Sequence, residues 1–149
     1  MLIVKAIVSA IIIFASAAFT KLGIGALGYI SLCDAIIVIL LEKQKPSVAM
    51  LIAAVSCVAA DYFNNCSYYA LATLIIKGAM GFLSAALTNK AGKYRFAVVF
   101  LTLIGYAIYD WILYPNVYFL KLSLCYNLLQ SVISVTLILL YNYIRKKRG

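Results

Sequence analysis

The chain contains no histidine and only four acidic residues. Without an imidazole there is nothing to complete a zinc site or to pair with a cysteine nucleophile. The four cysteines, Cys33, Cys57, Cys66 and Cys125, show no C-x-x-C spacing. They read as small apolar packing residues rather than as redox centres. Charge of either sign is scarce, with Asp, Glu, Lys and Arg making up 11% of 149 residues. The phosphate-cradling pattern G-x-x-x-x-G-K-[S/T] is missing, so no ATP site of that kind is expected. No residue set calls for a metal or a cofactor.

What remains is apolar. Hydrophobic residues make up 66% of the chain, and its mean hydropathy is +1.06. A soluble domain of this length cannot hide that much apolar surface. A membrane span takes about 20 residues, which leaves room for about six spans and no extramembrane domain. The sequence predicts an all-α integral membrane protein, a single six-transmembrane-helix bundle over residues 1–149. Its helices fall near 2–20, 30–41, 47–60, 68–87, 96–113 and 119–144. The first apolar run is longer than a signal-peptide core and is followed by further spans, so it reads as a helix that is kept.

The net charge of +9 could suggest nucleic acid, but the placement of the bases argues otherwise. Lys43 and Lys45 share one gap between spans, Lys90, Lys93 and Arg95 another, and Arg145, Lys146, Lys147 and Arg148 end the chain. The intervening gaps hold only Lys21 and Lys121. That alternation follows the positive-inside rule and predicts cytoplasmic termini in a multi-pass cell-membrane protein.

The polar residues are equally ordered. Tyr69, Thr73 and Lys77 recur at i, i+4, i+8 and share one helix face. An ionisable group inside a span is costly and is usually kept for a purpose. Lys77 either faces a ligand or forms an ion pair with Asp61 or Asp110. Gly78, Gly81 and Ala85 form a small-residue face suited to close helix packing. Tyr106 and Asp110 stand at i, i+4 on the fifth helix. Asn127, Gln130, Ser131 and Ser134 make a polar stripe on the sixth. Asp34, Asp61, Tyr68, Tyr69, Thr73, Tyr106, Asp110 and Asn127 should lie near the outer helix ends, with Lys77 and Gln130 a turn deeper. Such a pocket suits a small, flat heterocycle with polar edges. Asp34 is also placed to cap the second helix. Gly23, Gly25 and Gly28 forbid a stable helix before it and suggest a loop folded over the outer side. That loop is expected to close over Tyr68, Tyr69 and Tyr106 when ligand binds. Ala6 and Ala10 form an A-x-x-x-A pair on helix 1, read either as packing inside the bundle or as a docking face for a membrane partner.

Four segments, GYISLCDA at 28–35, TLIIKGAMG at 73–81, YDWILY at 109–114 and NLLQ at 127–130, together resemble those of one known family, the substrate-binding S components of energy-coupling factor (ECF) vitamin transporters. GYISLCDA at 28–35 is similar to its Gly-Tyr-(Val/Ile)-Asn-Leu-Gly-Asp-Ala segment. TLIIKGAMG at 73–81 is similar to its Thr-Leu-Ile-Ile-Lys-Gly-Leu-Met-Gly, YDWILY at 109–114 to its Tyr-Glu-x-x-Leu-Tyr, and NLLQ at 127–130 to its Asn-Leu-x-Gln. Ser31, Cys33, Leu71, Asp110 and Cys125-Tyr126 depart from the family pattern. The resemblance implies a subunit that captures a vitamin or precursor from outside, such as hydroxymethylpyrimidine or pyridoxine. It implies delivery through a membrane coupling (T) subunit and two cytoplasmic ATPase (A) subunits, with Ala6 and Ala10 on the docking surface. It also adds Tyr29 to the candidate site.

Three rival classes fit less of the sequence, one of them a purely structural helix bundle, which would scatter its polar groups instead of clustering them at one depth. A stand-alone secondary transporter or channel would use the intramembrane acids as ion relays. An intramembrane enzyme would need acid–base groups that are sparse here. Tyr109-Asp110 is half of an aspartyl protease pattern, and its Gly-x-Gly-Asp half is missing.

Overall fold

The computed structural model describes residues 2–20, 22–23 and 29–148, with the backbone alone at residues 2, 22–23, 29–30, 88–95 and 148. Helix dominates it. α1 spans Leu2–Phe19, α2 Cys33–Leu41, α3 Pro46–Phe63, α4 Ala70–Ala91, α5 Phe100–Leu113 and α6 Val117–Arg148. Two-residue strands, β1 (Leu22–Gly23) and β2 (Tyr29–Ile30), pair antiparallel between α1 and α2. The expected closing loop lies in this segment, and its Gly25 and Gly28 fall outside the described residues.

Local chemistry sets the helix ends. Pro46 opens α3, and Lys45 before it is extended at φ −66°, ψ 137°, as a residue preceding proline prefers. At the other end the Asn64 N–H donates to the Ala60 carbonyl over 2.9 Å. Asn65 then takes φ 58°, a left-handed conformation that asparagine tolerates. The Cys66 N–H reaches back to the Asp61 carbonyl over 2.8 Å. This tight reversal leads into a 3₁₀ turn, Ser67–Tyr69, and so puts Tyr69 at the head of α4.

α3 and α4 then run against each other almost backbone to backbone. A Cβ on Gly81 would lie 2.4 Å from the Ala49 carbonyl oxygen and 2.8 Å from the Ala53 Cβ. Gly78, one turn away, has ordinary room, with Met50 Cγ at 3.5 Å. The small-residue face is therefore a packing face, and Gly81 is its point of closest approach.

The polarity of the bundle runs opposite to that of a soluble domain. Ser56, Thr73, Thr102, Ser123, Ser131 and Ser134 are buried, while Ile7, Val55, Ile75, Ile104, Ile108 and Val132 are exposed. Outward apolar faces and inward hydroxyls are what a lipid surround selects. Among the described residues, four helical stretches are long and apolar enough to cross a membrane: Pro46–Phe63, Ser67–Leu87, Phe96–Leu113 and Val117–Lys147. The apolar run of α1, Ile3–Phe19, is slightly shorter. α2 has nine residues, about 14 Å of helix against a bilayer core of roughly 30 Å.

Two expectations change. Residues 88–95 are not an irregular turn: α4 continues to Ala91 and a 3₁₀ helix, Gly92–Val99, leads into α5. Basic residues mark where a helix leaves the membrane without ending it. α6 likewise runs on to Arg148 rather than stopping at 144. At this basic end the Arg145 guanidinium donates to the buried Glu42 carboxylate over 2.7 Å, tying α6 to the end of α2.

Candidate functional site

At the opposite end the helices enclose a small cavity, part of it open to the exterior. α4 and α5 form its most ordered wall. α4 carries Tyr69, Thr73 and Lys77, and antiparallel α5 carries Asp110, Tyr106 and Thr102 at the same four-residue spacing. The two rows join rung by rung. The Tyr69 hydroxyl donates to the Asp110 carboxylate. The Thr73 and Tyr106 hydroxyls share a hydrogen bond of 2.8 Å. Lys77 Nζ donates to the Thr102 hydroxyl over 3.3 Å.

Each end of this ladder is held by a further helix. At the deep end Asp34, on the first turn of α2, is completely buried and ion-paired with Lys77. Its other carboxylate oxygen accepts from Thr102 Oγ1 at 2.9 Å and from Gln130 Nε2 at 2.7 Å. Gln130 in turn accepts the Ser31 N–H over 3.0 Å, which fixes which way its amide faces. At the outer end Asp110 also accepts the Ser123 hydroxyl of α6. Asn127 leans on the same serine, donating to Ser123 Oγ over 3.1 Å.

The aromatic groups stack around the upper rungs. The Tyr69 ring lies 4.8 Å from Tyr68, 5.8 Å from Tyr106 and 5.7 Å from Tyr109, centroid to centroid. Lys77 Nζ sits 5.2 Å from the Tyr106 ring centre, within cation–π range. The Tyr109 hydroxyl donates to the Tyr68 carbonyl over 2.6 Å and closes the outer edge.

The chain matches no protein-family model, no curated protein and no solved structure. Its site is therefore read from its own geometry.

Of the candidate residues, Asp61, Tyr69, Thr73, Lys77, Tyr106, Asp110, Asn127 and Gln130 line the cavity. Asp34 sits beneath it, bonded to two of them. Tyr68 lies at the rim, largely exposed. The Tyr29 side chain falls outside the described residues. Ala6 and Ala10 are half-buried on α1, away from the cavity lining.

Two expectations are corrected here. Lys77 is ion-paired with neither Asp61 nor Asp110; Asp34 holds it. Asp34 does not cap α2 either. The residue before the helix is Leu32, which makes no side-chain cap, and Asp34 turns inward to Lys77. A first-turn carboxylate still meets the positive end of the helix dipole, so the position favours an acid without a cap bond.

Sequence reasoning missed the supporting hydroxyls. Thr102 completes the i, i+4, i+8 row with Tyr106 and Asp110, and Ser123 precedes Asn127 by four residues. Extending each polar stripe by one turn would have found both. Cys33 and Cys57 also line the cavity, with sulfurs 3.9 Å apart. Helix spacing gives no signal for them, because they come from different helices.

Proposed function

We propose that this chain is the substrate-capture subunit, the S component, of an ATP-driven ECF-type vitamin transporter. The observation that carries the reading is the cavity itself. It is a compartment with aromatic and polar walls, sited at the end of the bundle away from the basic clusters. Its walls draw on the segments that resemble the family: Thr73, Lys77, Asn127 and Gln130 match the family's residues, while Ser31, Cys33 and Asp110 line the same cavity at positions that depart from them. Convergent donors and acceptors between aromatic rings suit a one-ring heterocycle such as hydroxymethylpyrimidine or pyridoxine.

In this reading six helices embed in the prokaryotic cell membrane with both termini in the cytoplasm. The short α2 reaches the outer surface together with the segment before it. Ligand enters from outside and rests against the Tyr69–Tyr106 wall. Transport energy comes from two cytoplasmic ATPase subunits through a coupling subunit that meets α1 at Ala6 and Ala10. The chain itself performs no chemistry on its ligand.

A second reading draws on one observation. Asp34, Asp61 and Asp110 are all buried within the bundle, and intramembrane acids can relay ions in a self-sufficient secondary transporter. Reconstitution separates the two. Proteoliposomes holding the chain alone, or the chain with a coupling subunit and ATPases, are offered labelled pyridoxine and hydroxymethylpyrimidine. Uptake confined to the complete, ATP-supplied assembly supports the capture subunit. Uptake by the chain alone overturns it in favour of the second reading.

A further inference from the structure

The charge balance of the cavity narrows what it takes. The inference rests on the capture reading above and names the chemical class of ligand. Among the described lining residues there is one amine, Lys77, and two carboxyl groups, Asp61 and Asp110. Lys77 is already committed. Its side chain is 4% exposed and ion-paired with Asp34, whose side chain is fully buried. Its charge is therefore matched inside the protein and is not offered to an incoming anion.

Asp110 is placed differently. Its carboxylate is buried and accepts from two neutral hydroxyls, those of Tyr69 and Ser123. Among the described residues no amine or guanidinium reaches it. A carboxylate held only by neutral donors in a low-dielectric site attracts an external cation. Beside it the Tyr69 and Tyr106 rings pack edge to face, 5.8 Å apart. The electron-rich faces of such rings also favour a cation over an anion.

We infer that the cavity takes a small planar ring bearing a protonated nitrogen, an amine or amidine-like group that meets Asp110 while the ring lies against Tyr69 and Tyr106. Carboxylated ligands of the same size are rejected. They would set a second carboxylate beside Asp110, in a site where, among the described residues, the one lining amine is already paired with Asp34.

The test uses congeners that differ only in charge. Pyridoxamine, pyridoxine and 4-pyridoxic acid share a ring and carry an amine, an alcohol and a carboxylate. The aminomethyl, hydroxymethyl and carboxyl forms of 4-amino-2-methylpyrimidine make a second series. Each is titrated against the purified chain by calorimetry. In the series that fits, the amine binds about tenfold or more tightly than the alcohol, as one charge-assisted hydrogen bond provides, and the carboxylate does not bind. Asp110→Asn, shown to be folded by its unfolding temperature, removes most of the amine's advantage. If that variant fails to fold, Asp110→Ser is titrated instead, with the same loss expected because it also removes the carboxylate while leaving an oxygen to the Tyr69 and Ser123 hydroxyls.

An amine that binds no better than its alcohol overturns the inference and leaves the capture reading standing. So does a carboxylate that binds as well as the amine. An advantage that survives in the folded variant overturns the assignment to Asp110. If no congener of either series binds well-folded protein, this inference falls, and the capture reading stands only if another nitrogen-ring vitamin binds.

Discussion

The pair at the base of the cavity, Lys77 and Asp34, decides how this protein responds to substitution. Both are buried and each is the other's counter-charge. Removing one leaves the other charge buried without its partner, which typically costs about 3–5 kcal/mol. Lys77→Met should therefore destabilise the chain by about that amount, measured by unfolding in detergent. Lys77→Met combined with Asp34→Asn should recover much of the loss, because the stranded charge is gone while Thr102 and Gln130 keep an acceptor. If the double variant is as unstable as the sum of the singles, the pair is not the coupled unit described here. The middle rung is a milder case. Thr73→Val breaks a single hydrogen bond to Tyr106, and should cost about 1 kcal/mol. The partner of Lys77 was not legible in the sequence. Four-residue spacing fixes which face of α4 it occupies, but the choice among three acids depends on how far α2 inserts into the bundle. Asp34 was misread as a cap for a related reason. An acid at a helix start serves a cap or a dipole equally well, and only tertiary placement distinguishes them.

At the scale of elements, helix faces were legible and helix ends only in part: the ends expected at 41 and 113 are those observed, while α4 and α6 run past theirs. The small-residue face of α4 and the polar rows of α4 to α6 follow from periodicity alone. The segment 88–95 was not legible, because a basic cluster signals a membrane boundary and says nothing about whether the backbone stays helical. The α3–α4 contact gives a matched prediction. Gly81→Ala places a methyl group against the backbone of Ala49, and should cost about 1–3 kcal/mol as overpacking. Gly78→Ala meets only ordinary contacts, so it should be neutral or stabilise by about 0.5–1 kcal/mol through helix propensity. Thermal unfolding of the two variants side by side checks this. Equal effects would mean that the helices are not in backbone contact at Gly81.

For the whole molecule, the division of labour follows from where polarity lies. The exterior is apolar around α1 and α3 to α6. The basic groups gather at one end and the cavity opens at the other, so a bundle that is simple outside holds one chemically rich compartment. Most of that compartment could be assembled from sequence, because its residues sit on regular helical stripes. Cys33, Cys57 and the way the short α2 seals the base could not, since they depend on contacts between helices far apart in the chain. The measurement that bears most directly on the central claim is a ligand screen on the purified chain, following unfolding temperature and Trp111 fluorescence. Trp111 follows Asp110 on α5 but is exposed and outside the cavity lining, so the unfolding temperature is the primary readout. The panel is hydroxymethylpyrimidine, thiamine, pyridoxine, pyridoxamine, riboflavin, pantothenate and a queuosine precursor. The account predicts that one of the nitrogen-ring compounds raises the unfolding temperature at low concentration, because only a ligand favouring the folded state does so. It also predicts that Asp110→Asn weakens that response. Well-folded protein that responds to none of them, or to pantothenate alone, would contradict it.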